Sequence, residues 1–250
     1  MVTGIDALDL AFRRDSVDVI HQTQSSRIVN QTVAYLAINY LDRFLSLLGS
    51  PSQEEWVPGF VAVACLSIAS KMKREGFSLA QLQRRMRFEF KPEWIARMEK
   101  LILYALEWRT RAITPFAFVR YFLSFFSPAD PTFLLTLQDR SAATFVDAQN
   151  GMKFLEFSPS VVAAAALLSA AFECFPFQFP AFRSAISECP FINEEKLTDC
   201  LNKMTDNLAS TSKGSEPSFG TPVTVLALQS AGGLTSSDDL KDSQTADRQI

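Results

Sequence analysis

Residues 58–72 read Pro58-Gly59-Phe60-Val61-Ala62-Val63-Ala64-Cys65-Leu66-Ser67-Ile68-Ala69-Ser70-Lys71-Met72. Proline suits the first turn of a helix, where its missing N–H would go unbonded anyway. From Gly59 to Ser70 the chain is apolar or small at almost every position and offers water no polar face. Such a helix is stable only when other helices surround it, so the segment predicts the centre of a bundle. It is also shorter than the roughly 20 residues that cross a bilayer. A second stretch of the same character, Val161–Phe172, comes after Ser158-Pro159-Ser160. Two all-apolar helices, each needing its own jacket, predict an all-α chain of two consecutive bundles.

The flanking segments supply the jackets. Val33, Leu36, Tyr40 and Phe44 fit a stripe of 3.6-residue period, stopped by Gly49-Ser50-Pro51. Pro92 opens a helix predicted to run to Trp108, with Ile95, Met98, Ile102 and Leu106 on one face. Pro115 opens another through Phe126, closed by Pro128 and Pro131. These breaks set boundaries of 1–111 for the first bundle, 112–210 for the second and 211–250 for a tail. Ser and Thr make up 12 of the last 40 residues, which hold too little apolar surface to offset ordering, so the tail is predicted disordered.

Composition removes several classes of function. The chain has 250 residues, 48% hydrophobic, with a net charge of −3 and a single histidine, His21. No global field draws it to nucleic acid or to an anionic membrane. Cys65, Cys174, Cys189 and Cys200 have no C-x-x-C spacing, so no metal site is expected, and all four are predicted to be buried free thiols of a reducing compartment. Nothing around His21 resembles a nucleophile partner, and no Gly-rich phosphate loop occurs; no catalytic residue and no cofactor is expected. No signal peptide is expected, because charges break the first 15 residues. Asn30-Gln31-Thr32 fits a glycosylation sequon, but an intracellular chain never meets that machinery.

Two features of charge stand out. Residues 71–111 carry +6 while the remainder carries −9, and Arg84, Arg85, Arg87 and Lys91 are of the type that contacts phosphates. A solvated basic face is the simpler reading. The sharper anomaly is Glu99, which a helical wheel places among Ile95, Ile102, Leu103 and Leu106, with Lys71 ending the central helix. A carboxylate in such a setting must be paired or hydrogen-bonded. An internal Lys71–Glu99 bond capping the central helix satisfies it; so does a rim of Met72 and Leu103 around two charges that hold another chain's backbone. The residues alone leave both open.

Several motifs in order resemble the cyclin family, and within it the plant D type. Ala37-Ile38-Asn39-Tyr40-Leu41-Asp42-Arg43-Phe44-Leu45-Ser46 resembles the signature of the cyclin box, and Ala62 to Met72 its central helix. Arg97-Met98-Glu99, Leu106-Glu107-Trp108-Arg109 and Ile113-Thr114-Pro115-Phe116 resemble the end of the first box and its junction with the second. Met152 to Ser160 is similar to a plant D-type second box, and the match runs from about Phe12 to about Ala209. The resemblance implies two tandem cyclin folds of five helices each and the role of activating subunit of a cyclin-dependent kinase, promoting the G1/S transition in the nucleus or cytoplasm. It implies no chemistry of the chain's own. Lys71 and Glu99 map onto the pair that grips the kinase, and Met72, Leu103 and Trp108 onto its apolar rim, which favours the interface reading.

The departures carry their own expectations. No L-x-C-x-E peptide occurs, so no pocket-protein partner is expected by that route, as in a short subgroup of the family; a helix before the first box is also absent or abbreviated. Val19 stands where relatives have Trp and Gly59 where they have Gln, both in the groove that docks R-x-L substrates and kinase inhibitors. Losing both predicts docking weaker by a few kcal/mol. Lys73-Arg74-Glu75 replaces paired acids, which predicts altered kinase choice. Thr221-Pro222 in the tail is a candidate phosphosite. Rival readings are a degenerate cyclin fold that activates nothing and a transcription-factor-like double cyclin fold contacting DNA.

Overall fold

Every residue from Phe60 to Ser70 is buried, and so is every residue from Val161 to Ala171. The computed structural model describes residues 7–52, 54–76, 78–126 and 130–211, and all of these belong to one compact unit. Among the described residues there are ten α-helices and no strand. The first five are α1 (Ala7–Ser25), α2 (Gln31–Leu48), α3 (Val57–Lys73), α4 (Leu79–Gln83) and α5 (Pro92–Ala105). The second five are α6 (Phe116–Leu123), α7 (Pro131–Asn150), α8 (Pro159–Cys174), α9 (Phe179–Ser187) and α10 (Glu194–Thr211). α3 is jacketed by α1, α2 and α5, and α8 by α6, α7, α9 and α10. Small residues on the two central helices, Ala62, Ala64 and Ala69 on one and Ala163 to Ala166 on the other, let their neighbours approach closely.

A buried arginine ties the halves together. Arg13 on α1 is 4% exposed; its Nε donates to Asp42 Oδ1 on α2 at 2.6 Å and its Nη2 to the Gln149 carbonyl near the end of α7 at 2.8 Å. The carbonyls at a helix C-terminus carry partial negative charge, so the guanidinium is neutralised from both sides. Burial pushes the Asp42 carboxyl above its ordinary range, and the bond to Arg13 pulls against that shift. Gln149 adds a bond from its Nε2 to the Tyr35 carbonyl of α2, whose ring meets Phe116 edge-on.

Several boundaries differ from those expected of the sequence, each for a local reason. The helix from Pro92 ends at Ala105 rather than Trp108. The one opened at Pro115 gives way to a 3-10 turn, Ser124–Phe126. Pro131 does not close that segment but opens α7 at its first turn, with the Asp130 carboxylate accepting from the Thr132 N–H. Asn30, the first residue of the sequon, is the N-cap of α2 and accepts from the Val33 N–H at 2.9 Å. Three cysteines are buried as expected, but Cys174 is exposed, because it is the last residue of α8 and lies past the point where that helix leaves the core. Thr211, the first residue of the expected tail, still belongs to α10; the rest of the serine- and threonine-rich tail, with Thr221, lies outside the described residues.

His21 lies on α1 toward Asn150 and Asp147 of α7, and burial lowers its pKa from 6.5 against the raising influence of Asn150 and Asp147. The unfolded chain therefore binds a proton that the folded chain resists, so stability is full above 6.5 and declines as pH falls below it. Melting at about pH 5.5 should come below melting at about pH 7.5, a window in which histidine is the side chain that ordinarily titrates. The difference should shrink in His21→Gln; an undiminished difference would assign the acid sensitivity elsewhere.

Candidate functional site

α3 ends where Arg74 turns into the left-handed region at φ 56. Its N–H returns to the Lys71 carbonyl at 3.2 Å and that of Glu75 to the Ser70 carbonyl at 3.0 Å. These two bonds form the Schellman closure, which satisfies the last carbonyls with backbone alone. The Lys71 side chain is thus free of capping duty and reaches α5 instead. Its Nζ donates to Glu99 Oε2 at 2.6 Å and to Oε1 at 2.8 Å. The pair is lopsided in its exposure: the Lys71 side chain is 66% exposed and that of Glu99 12%.

α5 closes in the same way. The Trp108 N–H donates to the Leu103 carbonyl and that of Glu107 to Tyr104, with Glu107 and Trp108 at φ 50 and 59. The connector beyond is pinned to α2, since Tyr40 Oη donates to the Thr110 carbonyl at 2.7 Å and Arg43 Nη1 to the Arg109 carbonyl at 2.8 Å. Trp108 therefore stands on a fixed turn rather than on the helix. It is exposed, as are Met72 and Tyr104, and its ring meets Tyr104 edge-on at 5.9 Å. Leu103 is half-buried. The helix ends that carry Lys71, Met72, Glu99, Leu103 and Trp108 thus present a charged pair together with exposed apolar side chains. Tyr104 was not among the residues singled out from the sequence; its signal is the edge contact with Trp108, which only the turn creates.

The groove residues also meet. A Cβ added at Gly59 would lie 4.0 Å from Val19 Cγ2 and 3.1 Å from Met86 Cε. Met86, which no sequence pattern marked, occupies the space above the glycine. A larger residue at position 59 would have to displace that flexible thioether tip.

Burial pushes the Cys65 thiol up and that of Cys200 to about 12, away from the thiolate that does nucleophilic work. No cluster of three or more metal-ligating side chains occurs among the described residues, and no described helix is long and apolar enough to cross a membrane. In the basic segment, Arg87 pairs with Glu55, Arg85 donates to Ser26 Oγ, and Lys91 Nζ lies 5.6 Å from the Trp94 ring centre.

Comparison with known proteins places these features in a family context. The family model described as cyclin, N-terminal domain, matches residues 3–111, and that described as cyclin, C-terminal domain, matches residues 113–220. Putative cyclin-D6-1 of Arabidopsis thaliana is 38% identical over 194 residues, 76% of this chain and 64% of that protein. Cyclin-D6-1 of Oryza sativa subsp. japonica is 39% identical over 231 residues, 89% of this chain and 72% of its own length. Cyclin-D2-2 of the same rice is 34% identical over 232 residues, of which this chain spans 63% of the relative. Among solved structures, a viral cyclin from herpesvirus saimiri matches with a TM-score of 0.66 at 19% identity, covering 80% of this chain and 85% of that one. A chain of the CAK complex from Chaetomium thermophilum bound to ATP-gamma-S matches at 0.55 and 14% identity, over 80% of this chain and 64% of that one. At such identities the likeness is one of fold.

The asymmetry of the charged pair has a measurable consequence. Lys71→Ala leaves a largely buried carboxylate without its donor and should cost about 1–3 kcal/mol of folding stability. Glu99→Ala releases an ammonium already in water and should cost less than about 1 kcal/mol through the ion pair itself. Urea denaturation of both variants checks the order; equal losses would mean that the carboxylate is as well solvated as the ammonium.

Proposed function

The chain belongs to the cyclin family, and from that premise we propose that it is the regulatory subunit that binds and activates a cyclin-dependent serine/threonine kinase. The single observation that carries this reading is the Lys71–Glu99 pair, its ammonium exposed and its carboxylate largely buried, on helix ends that also carry Met72, Leu103 and Trp108. An ammonium has three N–H donors and a carboxylate about four acceptor positions. The two bonds within the pair leave a donor on Lys71 and acceptor capacity on Glu99. Those match a backbone carbonyl and backbone N–H groups of a second polypeptide, while the exposed apolar side chains gain by being covered.

The chain's own part in such a reaction is mechanical. It contributes no group to phosphoryl transfer. A rigid face built from the ends of α3 and α5 would press on a mobile helix of the kinase and hold its catalytic groups in register, the kind of positioning by which partners switch kinases on. The fold likeness to chains of the CAK complex and of the yeast TFIIK (Kin28/Ccl1/Tfb3) complex supports a kinase of this class as the partner. The D-type names of the relatives support a part in cell-cycle entry at the G1/S transition, and hence action in the nucleus. Recruitment of R-x-L substrates and inhibitors through Val19 and Gly59 would be weak, since neither an aromatic anchor nor an amide is offered there.

Co-expression with a plant cyclin-dependent kinase, followed by co-purification and phosphorylation of a histone substrate, tests the proposal. Glu99→Ala and Leu103→Asp should each lower kinase affinity by about 2–5 kcal/mol and abolish stimulated phosphorylation. Binding unchanged in both would remove this surface from the interface, and unstimulated kinase in a stable complex would leave a cyclin fold that binds without activating.

A further inference from the structure

The turn between α1 and α2, together with α4 and the residues after it, forms an open pocket of about 440 Å3 lined by Ser26, Arg27, Ile28, Gln81, Arg84 and Arg85. Three arginines therefore line one surface pocket. Arg85 Nη1 donates to Ser26 Oγ at 2.8 Å, which draws the hydroxyl into the cluster. Among the described residues, none of the three arginines has a carboxylate within 4 Å. Glu75, which accepts from Asn30 Nδ2, lines the adjoining pocket together with Arg27, and Glu55 pairs with Arg87. The backbone that carries Arg27 is fixed, because α1 ends in a Schellman closure with Arg27 at φ 56, its N–H on the Gln24 carbonyl and that of Ile28 on Thr23. The carbonyl end of α1 attracts one nearby cation. It does not balance three.

We propose that Ser26, Arg27, Gln81, Arg84 and Arg85 form a binding site for a phosphoserine or phosphothreonine in a segment of a partner protein. Guanidinium forks match phosphate oxygens two at a time, and clusters of them are a recurring way of reading phosphorylated segments. A phosphoryl group brings a charge of about −1.5 to −2 and three acceptor oxygens, enough to engage several forks, where a lone carboxylate brings −1 and two. Nucleic acid fits less well, since no aromatic ring lines the pocket for a base to stack on and the chain as a whole is at −3. Arg85 directly precedes Met86, which covers Gly59, so the pocket flanks the surface where R-x-L docking is weakened. Like charge there opposes a cationic segment and favours a phosphorylated one. The site stands apart from the kinase-binding proposal, because its test needs no kinase.

The full chain, immobilised, is offered a degenerate peptide library with a fixed phosphothreonine and the same library unphosphorylated. Retention of the phosphorylated library should exceed that of its twin by about tenfold or more, in keeping with the strength of charge-assisted bonds. The double variant Arg84→Gln/Arg85→Gln should lose that preference while keeping its melting temperature, whereas Arg87→Gln/Lys91→Gln, which removes the same charge outside the pocket, should retain it. Excess inorganic phosphate should release the bound peptides from the unaltered chain. Equal retention of the two libraries, equal loss in both double variants, or failure of phosphate to compete would overturn the site. Tighter retention of a single-stranded oligonucleotide than of the phosphopeptides would also overturn it and reassign the surface to nucleic acid.

Discussion

An eleven-residue helical segment with no face for water, Phe60 to Ser70, emerges into solvent at the end that carries Lys71. That constraint organises the first half of the molecule. Because the segment is buried on all sides, its neighbours must surround it, and the place where it emerges is dictated by their packing. Lys71 is the first residue past the buried run, and its ammonium meets Glu99, the carboxylate that α5 carries toward its own apolar stripe. The pair is a by-product of core formation in its position, yet its ammonium remains exposed.

Rigidity around the pair comes from backbone closures and a few long-range bonds. α3 and α5 both finish in Schellman turns, Tyr40 and Arg43 hold the connector after Trp108, and Arg13 fastens α1 to α2 and to the end of α7. A surface held in this way loses little freedom when a partner covers it, and that economy raises affinity without adding contacts. The second half, built around the equally buried Val161–Ala171, reaches the first through the same arginine and through Gln149.

Periodicity and proline placement were enough to read both central helices, the α2 stripe and the start at Pro92, since each depends on local chemistry; α8 begins at Pro159, two residues before the expected Val161. Helix ends were harder to read. Arg27, Arg74 and Glu107 occupy left-handed positions that glycine usually marks, so nothing in the residue types announced those turns, and α5 looked three residues longer than it is. Pro131 was ambiguous in the same way, because proline both ends one helix and begins the next. Glu99 was legible as an anomaly because a charge inside an apolar arc demands a partner. Its lopsided exposure was not, as that depends on how α3 and α5 cross. The clustering of Arg27 with Arg84 and Arg85, 57 and 58 positions apart in sequence, required the fold.

Hydrogen–deuterium exchange on the chain alone and in the presence of its co-expressed kinase bears most directly on the central claim. If the Lys71–Glu99 pair and its apolar flank grasp a second polypeptide, amides around Met72 to Glu75 and Leu103 to Arg109 should gain protection in the complex, while those of the α9–α10 region change little. Protection confined to other helices, with those two helix ends exchanging as fast as in the free chain, would contradict the account.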